Sequence, residues 1–472
     1  MRVLKAFIFL FLTSCQYCYS QYWQPLQAGL NNGGSTKLYA DSVADKLYVG
    51  GHFTLVNNQT QWGIASWDGT QWDSLGCGMD DLSIGNQPGS TSGMVRYGNH
   101  LYTGGSFRKA GGLNTPALAR WDGISWDTVP GTAMDQMDLV HDIIVHNNEL
   151  YICGSFDSVG NSPASCVAKW DGTNWQAISS YSFSYNNAPM NLYKIQFYHG
   201  NLYVIGGFFD PWGNVCRMAK WDGIAWTFFT YSFPASTNVT DMEVYNDKLY
   251  VCGSFTMSEG KNAIMTWNDT VWSGVGGGTQ IVTNQTPTIS DVTVHNGKLY
   301  CVGSFEKIGG VPATGLASWD GMNWCGYNSF FATANQFCGA GNIEFYHDTM
   351  YVGGVFKTLN GDTVNGIAKW IGGSYVDSCG VLTTGIFQEE AYSSDATVYP
   401  NPASKVITFQ FSGSHQSRSL IIYDQLGREI LREETNENMI SLSVESFAEG
   451  MYFYKVIQDG SSSATGKFIV TH

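Results

Sequence analysis

Breaking a glycosidic bond takes two carboxyl groups facing one sugar ring, and stacking on a sugar takes a flat aromatic side chain near solvent. The sequence offers residues for both. Asp80, Asp81, Asp157 and Asp210 fall in stretches that read as long connections between strands. So do Trp62, Tyr181, Phe183, Tyr185, Trp212, Tyr231, Phe233, Tyr327, Phe330 and Phe331. Aromatics placed there suit sugar stacking or a protein hot spot, or they cap small cores of their own. No His-Glu-x-x-His, Gly-x-Ser-x-Gly or phosphate-binding loop occurs, so an enzyme would have to assemble its site from single residues of separate segments. No catalytic residue, cofactor or metal is assigned, and a binding role is favoured over catalysis.

These candidates are set in a strongly periodic chain. A phrase like Leu-Tyr-Val-Gly-Gly-Ser-Phe recurs with its tyrosines at Tyr48, Tyr102, Tyr151, Tyr203, Tyr250, Tyr300 and Tyr351. A second, like Ala-x-Trp-Asp-Gly-x-x-Trp, has its first tryptophans at Trp67, Trp121, Trp170, Trp221, Trp267, Trp319 and Trp370. From Trp67 to Trp370 the mean spacing is 50.5 residues, a period that belongs to repeat architectures. Each repeat reads as four short strands. The first ends in a two-residue turn such as Asn147-Asn148 or Asn296-Gly297, whose residues tolerate positive φ. The second is the Leu-Tyr-Val phrase. The third ends at the first Trp, and Asp-Gly turns it into the fourth. Seven repeats of four strands predict an all-β fold, a seven-bladed β-propeller over 21–380. Aspartates of the Asp-Gly phrase read as hairpin residues rather than a ring of acids. His146, His199, His295 and His347 stand at or just before the first turn. Tyr97, Tyr198, Tyr245 and Tyr346 take the pre-turn place in other repeats, so this position reads as packing with a polar tip.

The repeat resembles the kelch or galactose-oxidase type of propeller, which also carries Gly-Gly in its second strand and a Trp downstream. The likeness covers about 22–380 and implies architecture, not activity; the Tyr, Cys and His cluster of a copper oxidase is missing. The seventh repeat is degenerate after Trp370, whereas Trp23-Gln24-Pro25-Leu26 looks like an orphan fourth strand. Either the N-terminus supplies the outer strand of blade seven, or it adds a strand beside a complete blade.

Residues 1–20 read as a secretory signal peptide: Arg2 and Lys5, then the apolar run Ala6–Leu12, then a small-residue site at Ser20. Leu12-Thr13-Ser14-Cys15 also resembles a lipobox, but cutting after Ser20 suits the chain better. No run is long enough for a transmembrane helix. Net charge is −15, and −17 without the leader, which argues against nucleic acid as a partner. Charged residues are only 13% and aromatics 14%, which excludes a disordered chain. Nine of the eleven cysteines lie beyond the leader, with no Cys-x-x-Cys among them for zinc. In an oxidising periplasm Cys325 and Cys338, flanking one loop, are candidates for a disulfide. Cys77 and Cys379, after the fourth strands of the first and last repeats, are candidates for another.

Composition shifts after 380. A linker over 381–396 precedes strands in which Ile407, Phe409 and Phe411 share one face, predicting a small Ig-like antiparallel β-sandwich over 397–472. Tyr399-Pro400-Asn401-Pro402, Asp424-x-x-Gly427-Arg428, Gly450-x-Tyr452 and Gly466-Lys467 resemble the type A C-terminal sorting domain of the Bacteroidetes type IX secretion system. That likeness implies Sec export through the periplasm, the type IX machinery as partner, and release or anchoring at the outer-membrane surface. The expectation is a secreted or surface-anchored module binding a glycan or a surface protein. The alternatives are a propeller hydrolase or lyase and a structural adhesin or envelope component.

Overall fold

The computed structural model describes residues 23–81, 87–185, 188–230, 232–234, 237–257, 262–280, 286–327, 331–333, 336–371, 396–411, 417–424, 428–458 and 461–471. The expected leader and most of the linker lie outside them. The chain divides into two compact units, Met1–Gly380 and Val381–His472. Among the described residues every regular element is a strand.

In the first unit each sequence repeat forms one antiparallel four-stranded array. The first is Gly34–Asp41, Lys46–His52, Ile64–Trp67 and Trp72–Ser74, paired in that order. The last is Asn342–Tyr346, Thr349–Gly353 and Ile367–Trp370, and its fourth strand is Trp23–Pro25 from the opposite end of the sequence. Trp23 stands opposite Trp370, where other repeats carry their second Trp. The rings meet edge to face at 5.0 Å.

Local chemistry accounts for the arrays. In repeats three to seven the first turn takes positive φ at both residues, for example 48° and 60° at Asn147 and Asn148. At the second turn Asp122 Oδ1 accepts the N–H groups of Ile124 and Ser125 at 2.7 Å. Asp68, Asp171, Asp222 and Asp320 do the same, so these acids build hairpins. Both turns fall at one end of each array; the longer connections fall at the other. The second glycine of the Gly-Gly phrase is required by a close approach: a Cβ on Gly51 would stand 2.2 Å from the carbonyl oxygen of Gly34. It answers a bulge in its own first strand, where pairing skips Thr36. The first glycine faces the next repeat, and buried Cys153 and Cys252 replace it.

Neighbouring arrays pack through the Trp pairs. Trp126 Nε1 donates to the Leu75 carbonyl of the preceding repeat at 2.8 Å, Trp324 Nε1 to Val275 at 3.0 Å, and Trp72 Nε1 to Leu26 at 3.0 Å. At the turn end, Tyr97 Oη donates to the Asn148 carbonyl of the following repeat, Tyr198 to Asp247, Tyr245 to Gly297 and Tyr346 to Asp45. Where histidine replaces tyrosine it stacks instead, His146 on Phe197 and His295 on Phe345. The exchange of Tyr and His is packing with a polar tip, as expected.

The second unit has two sheets, one of Ala396–Tyr399, Val406–Phe411 and Met439–Ser443, the other of Glu429–Thr435, Arg418–Tyr423, Gly450–Gln458 and Ser461–Val470. Ile407, Phe409 and Phe411 are buried with Leu420, Ile422, Val456 and Phe468, while Val406 and Gln410 on the other face are exposed.

Trp23 is 3% exposed and touches both Trp370 and Phe331. Trp23→Ala should therefore cost about 3 kcal/mol or more, because it opens a cavity at the strand that joins first and last repeats. Chemical denaturation checks this; a loss under about 1 kcal/mol would mean that strand carries little of the fold.

Candidate functional site

The first strands of adjacent repeats meet; Lys37, Gly93, Asp142, Lys194, Asp241 and Asp291 stand just past the bulges of six of them, and Asn342 takes the same register in the seventh. Asp142 Oδ2 accepts Ile195 N–H at 3.2 Å, Asp241 Oδ2 accepts Val292 N–H at 2.9 Å, and Asp291 Oδ2 accepts Ile343 N–H at 2.8 Å. Each aspartate thus clamps the next repeat. Lys194 Nζ lies 2.8 Å from Asp241 Oδ1. Burial alone would lower the Lys194 pKa, but Asp241, Asp142 and Asp291 hold it protonated. Asn342 donates to the Ser35 carbonyl at 3.1 Å, coupling the last repeat to the first. At Gly93 a side chain would press on Asp142 and Ile143. Lys37, Tyr39, Asp142, Lys194, Gln196 and Glu243 line a cavity of about 230 Å³ along this junction. Burial raises the Glu243 carboxyl. These charges were missed in the sequence, although counting four residues back from the pre-turn Tyr or His of each repeat finds most of them.

The connection end carries the more accessible site. Exit segments there usually pair with the small hairpin in the next repeat: Met79–Asp81 with Lys109–Ala110, Thr279–Gln280 with Lys307–Ile308, Phe331–Thr333 with Thr358–Leu359, and Leu30–Asn31 with Leu55–Val56. Repeat four departs from this. Its second strand, Asn201–Phe209, runs almost directly into the third, Val215–Trp221, through a short turn. The exit segment of repeat three therefore folds on itself, Ser184–Tyr185 against Ala188–Pro189. Between it and the Ser158–Pro163 hairpin lies a groove of about 620 Å³, lined by Asp157, Pro163, Ser165, Ala177, Ser179, Ser180, Tyr181, Ser182, Ser184 and Pro189. Ser182 Oγ bridges Ser165 at 3.3 Å and Ser184 at 2.8 Å. Tyr181 is half-buried, and its hydroxyl donates to the Phe209 carbonyl at 3.0 Å, so the groove reaches the short turn of repeat four.

That turn presents Trp212, which is 80% exposed. Asp210, 5% exposed, builds it: Oδ1 accepts the N–H groups of Trp212 and Asn214, while Oδ2 accepts from the Asn214 amide at 3.0 Å and the Thr230 hydroxyl at 2.9 Å. Burial pushes the Asp210 carboxyl up, but these hydrogen bonds outweigh it and leave the pKa below the usual value. Asp210 is thus a turn-former rather than a proton donor.

The other expected residues sort by burial. Phe183, Phe233, Tyr327 and Phe331 are 6% exposed or less and cap the connection end as small cores. They are withdrawn from ligand contact, because the exit segments turn inward to cover the ends of the arrays. Phe183, for instance, packs edge to face on Phe208 and Trp226. Trp62 is half-buried. Asp80 lies in a paired strand, and Asp157 is exposed at the groove. Tyr231, Phe330, Cys379, Gly427 and the side chains of Asp81 and Tyr185 lie outside the described residues. The expected disulfides are not formed. Cys325 is disulfide-bonded, but Cys338 is a partly buried thiol packed beside the core around Phe331, and Cys77 is an exposed thiol. Among the described residues no group of three or more His, Cys, Asp or Glu is arranged to hold a metal ion.

In the second unit, the phrases noted in the sequence meet in space. Asn401 Oδ1 accepts Ile469 N–H at 2.9 Å, which ties the Tyr399–Pro402 segment to the last strand. Arg428 Nε donates to Asp424 Oδ2 at 2.7 Å, and Tyr452 Oη to the Ala448 carbonyl at 2.8 Å. A Cβ on Gly466 would meet the Tyr454 ring at 2.5–2.7 Å. Residues 397–471 match the family described as secretion system C-terminal sorting domain. The tail is a sorting domain. A tail of this kind marks its carrier for the type IX system and export to the cell surface or beyond.

No curated protein matches the chain by sequence. Among solved structures it is similar to the extracellular domain of a proposed one-component system, BT4673, from B. thetaiotaomicron (14% identity, TM-score 0.45, 95% of this chain and 57% of that one). It is also similar to PorZ, a surface component of the type IX secretion system of Porphyromonas gingivalis (14%, 0.38, 92% and 65%). A third is a GH74 xyloglucanase from Xanthomonas campestris (13%, 0.46, 73% and 53%). The chain spans less than two thirds of the length of each.

Burial, and then the neighbouring charge of Asp241, pushes the Asp291 carboxyl up to about 8. Lys194 meanwhile offsets burial and keeps Asp241 ionised. Between the ordinary carboxylate range and pH 8 the folded state thus holds a proton that the unfolded chain releases. Stability from this group is present at low pH and is lost as pH rises through 8. Melting curves from pH 6 to 9 should show Asp291→Asn losing less stability than the wild type; parallel curves would remove the shared-proton account.

Proposed function

We propose that the first unit is a closed, seven-bladed, kelch-like β-propeller that acts outside the cell as a non-enzymatic binding module, with its ligand on the connection end. The clamps between consecutive first strands, together with the Asn342–Ser35 and Trp23–Trp370 contacts between last repeat and first, support closure. In this reading residues 1–20 are removed during Sec export. Residues 397–471 then engage the type IX machinery, and the propeller is released or anchored at the outer-membrane surface to bind a glycan or a surface protein.

The observation that carries the binding role is Trp212. An indole 80% exposed gains nothing from the fold, and a buried aspartate holds its turn in one shape. A rigid, solvent-facing aromatic loses little entropy on engaging a ligand. Trp212→Ala should leave the melting temperature unchanged and weaken ligand capture by about tenfold or more, a cost typical of a hot-spot aromatic. Equal capture by the variant would remove Trp212 from the site. Truncation after residue 395 should leave the protein in the periplasm, as read by fractionation; surface display of the truncated chain would overturn the export route.

One observation favours an enzyme acting on glycans as a second reading. Burial, reinforced by the charges of Asp135 and Asp157, raises the Asp138 carboxyl to about 6. An acid with that pKa on the connection end is suited to proton transfer near neutral pH.

A further inference from the structure

We propose that the groove between the Ser158–Pro163 hairpin and the exit segment of repeat three is a subsite for a neutral, hydroxyl-rich sugar chain. The inference rests on the binding-module reading and names the chemistry of its ligand. Serine hydroxyls dominate the wall, and each can both donate and accept a hydrogen bond. Such a wall matches a ligand that also donates and accepts at every position. A peptide would present mostly fixed backbone donors and acceptors spaced along a strand. Among the described residues of the lining Asp157 is the one charged side chain; a carboxylate accepts from two neighbouring hydroxyls and repels a uronic or sulfated sugar. Pro163, Ala177 and Pro189 supply small apolar patches for the C–H face of a ring. A volume of about 620 Å³ lies within the ordinary range for ligand sites. Tyr181 joins this wall to the turn of repeat four, so a chain leaving the groove on that side runs toward the indole of Trp212.

The site adjoins the short turn between the second and third strands of repeat four. The exit segment of repeat three folds on itself beside this turn, where repeat four provides no hairpin for it to pair with.

The test uses the full chain on an array of neutral gluco-, manno-, galacto- and xylo-oligosaccharides beside uronic-acid oligosaccharides, followed by titration calorimetry with the tightest neutral binder. Ser182→Tyr fills the groove from an exposed position, Asp157→Asn removes its charge, and Thr173→Tyr places the same bulk at the turn end of the same repeat as a control. Neutral binding weakened about tenfold or more by Ser182→Tyr, weakened by Asp157→Asn and unchanged by Thr173→Tyr is the expected result, with melting temperatures equal throughout. Neutral binding indifferent to Ser182→Tyr would overturn the groove while leaving the binding module intact. So would preference for uronic acids, or capture of a surface protein with no sugar bound. Absence of any ligand on the connection end would overturn both.

Discussion

The first unit depends on one pairing, that of Trp23–Pro25 with Ile367–Trp370. A four-stranded array with two apolar faces cannot bury both by itself and needs a neighbour on each side. Within the sequence every array but the first and last has two. Those two become neighbours only because a strand from the start of the chain completes the array formed at its end. The indole of Trp23 then takes the place of a second Trp that the seventh repeat lacks, and the same stretch leads through Leu30 into the first repeat. That strand pairing covers an edge of the last array that would otherwise be open.

Around that pairing, the same junction is built by different chemistry at each repeat. At the turn end a tyrosine hydroxyl crosses to a backbone carbonyl in four repeats, and an imidazole stacks on a phenylalanine in two others. At the inner strands the clamp is an aspartate on a backbone N–H in three repeats, a lysine–aspartate pair in one and an asparagine in another. What is kept is geometry, a polar group reaching one repeat forward. The charge is not kept. The mixture of Lys and Asp limits the self-repulsion that a ring of identical acids would suffer, and the excess is absorbed by a proton on Asp291.

Most of the architecture was legible because its signals are local. Tight turns demand particular residues, Trp pairs mark hairpins, and a period of about fifty residues is visible without a structure. Even the strand exchange at the termini could be read, since a repeat missing its second Trp and an orphan Trp elsewhere are complementary defects. The site was legible only in part. Phe183 and Trp212 look alike in sequence, both aromatics in variable connections. One packs on Phe208 and Trp226, while the other is held away from the core by a buried aspartate; burial of a loop residue depends on how neighbouring connections fold over it, which no short phrase encodes. The inner charges keep a fixed distance from the pre-turn Tyr or His, but the residue type there changes among Lys, Gly, Asp and Asn, so no repeated phrase marks the column. Cysteine pairing failed because nearness along the chain does not decide it: Cys325 is disulfide-bonded, while Cys338 is not in that bond and packs beside the core around Phe331.

Repetition and irregularity divide the work. Six repeats with matching junctions give rigidity, but a perfectly regular set would offer the same shallow surface at every junction and nothing selective. In sequence, the distance from the Tyr of the second strand to the first Trp is 19 residues in five repeats, 18 in repeat four, from Tyr203 to Trp221, and 17 in repeat five, from Tyr250 to Trp267. In repeat four the second strand turns almost directly into the third, which leaves the preceding exit segment without a hairpin to pair with, beside a hydroxyl-lined groove and an exposed indole on the turn. The strands need not change at all. Recognition can therefore be altered in the connections while the strand pairing at Trp23 and the clamps at the inner strands keep their geometry.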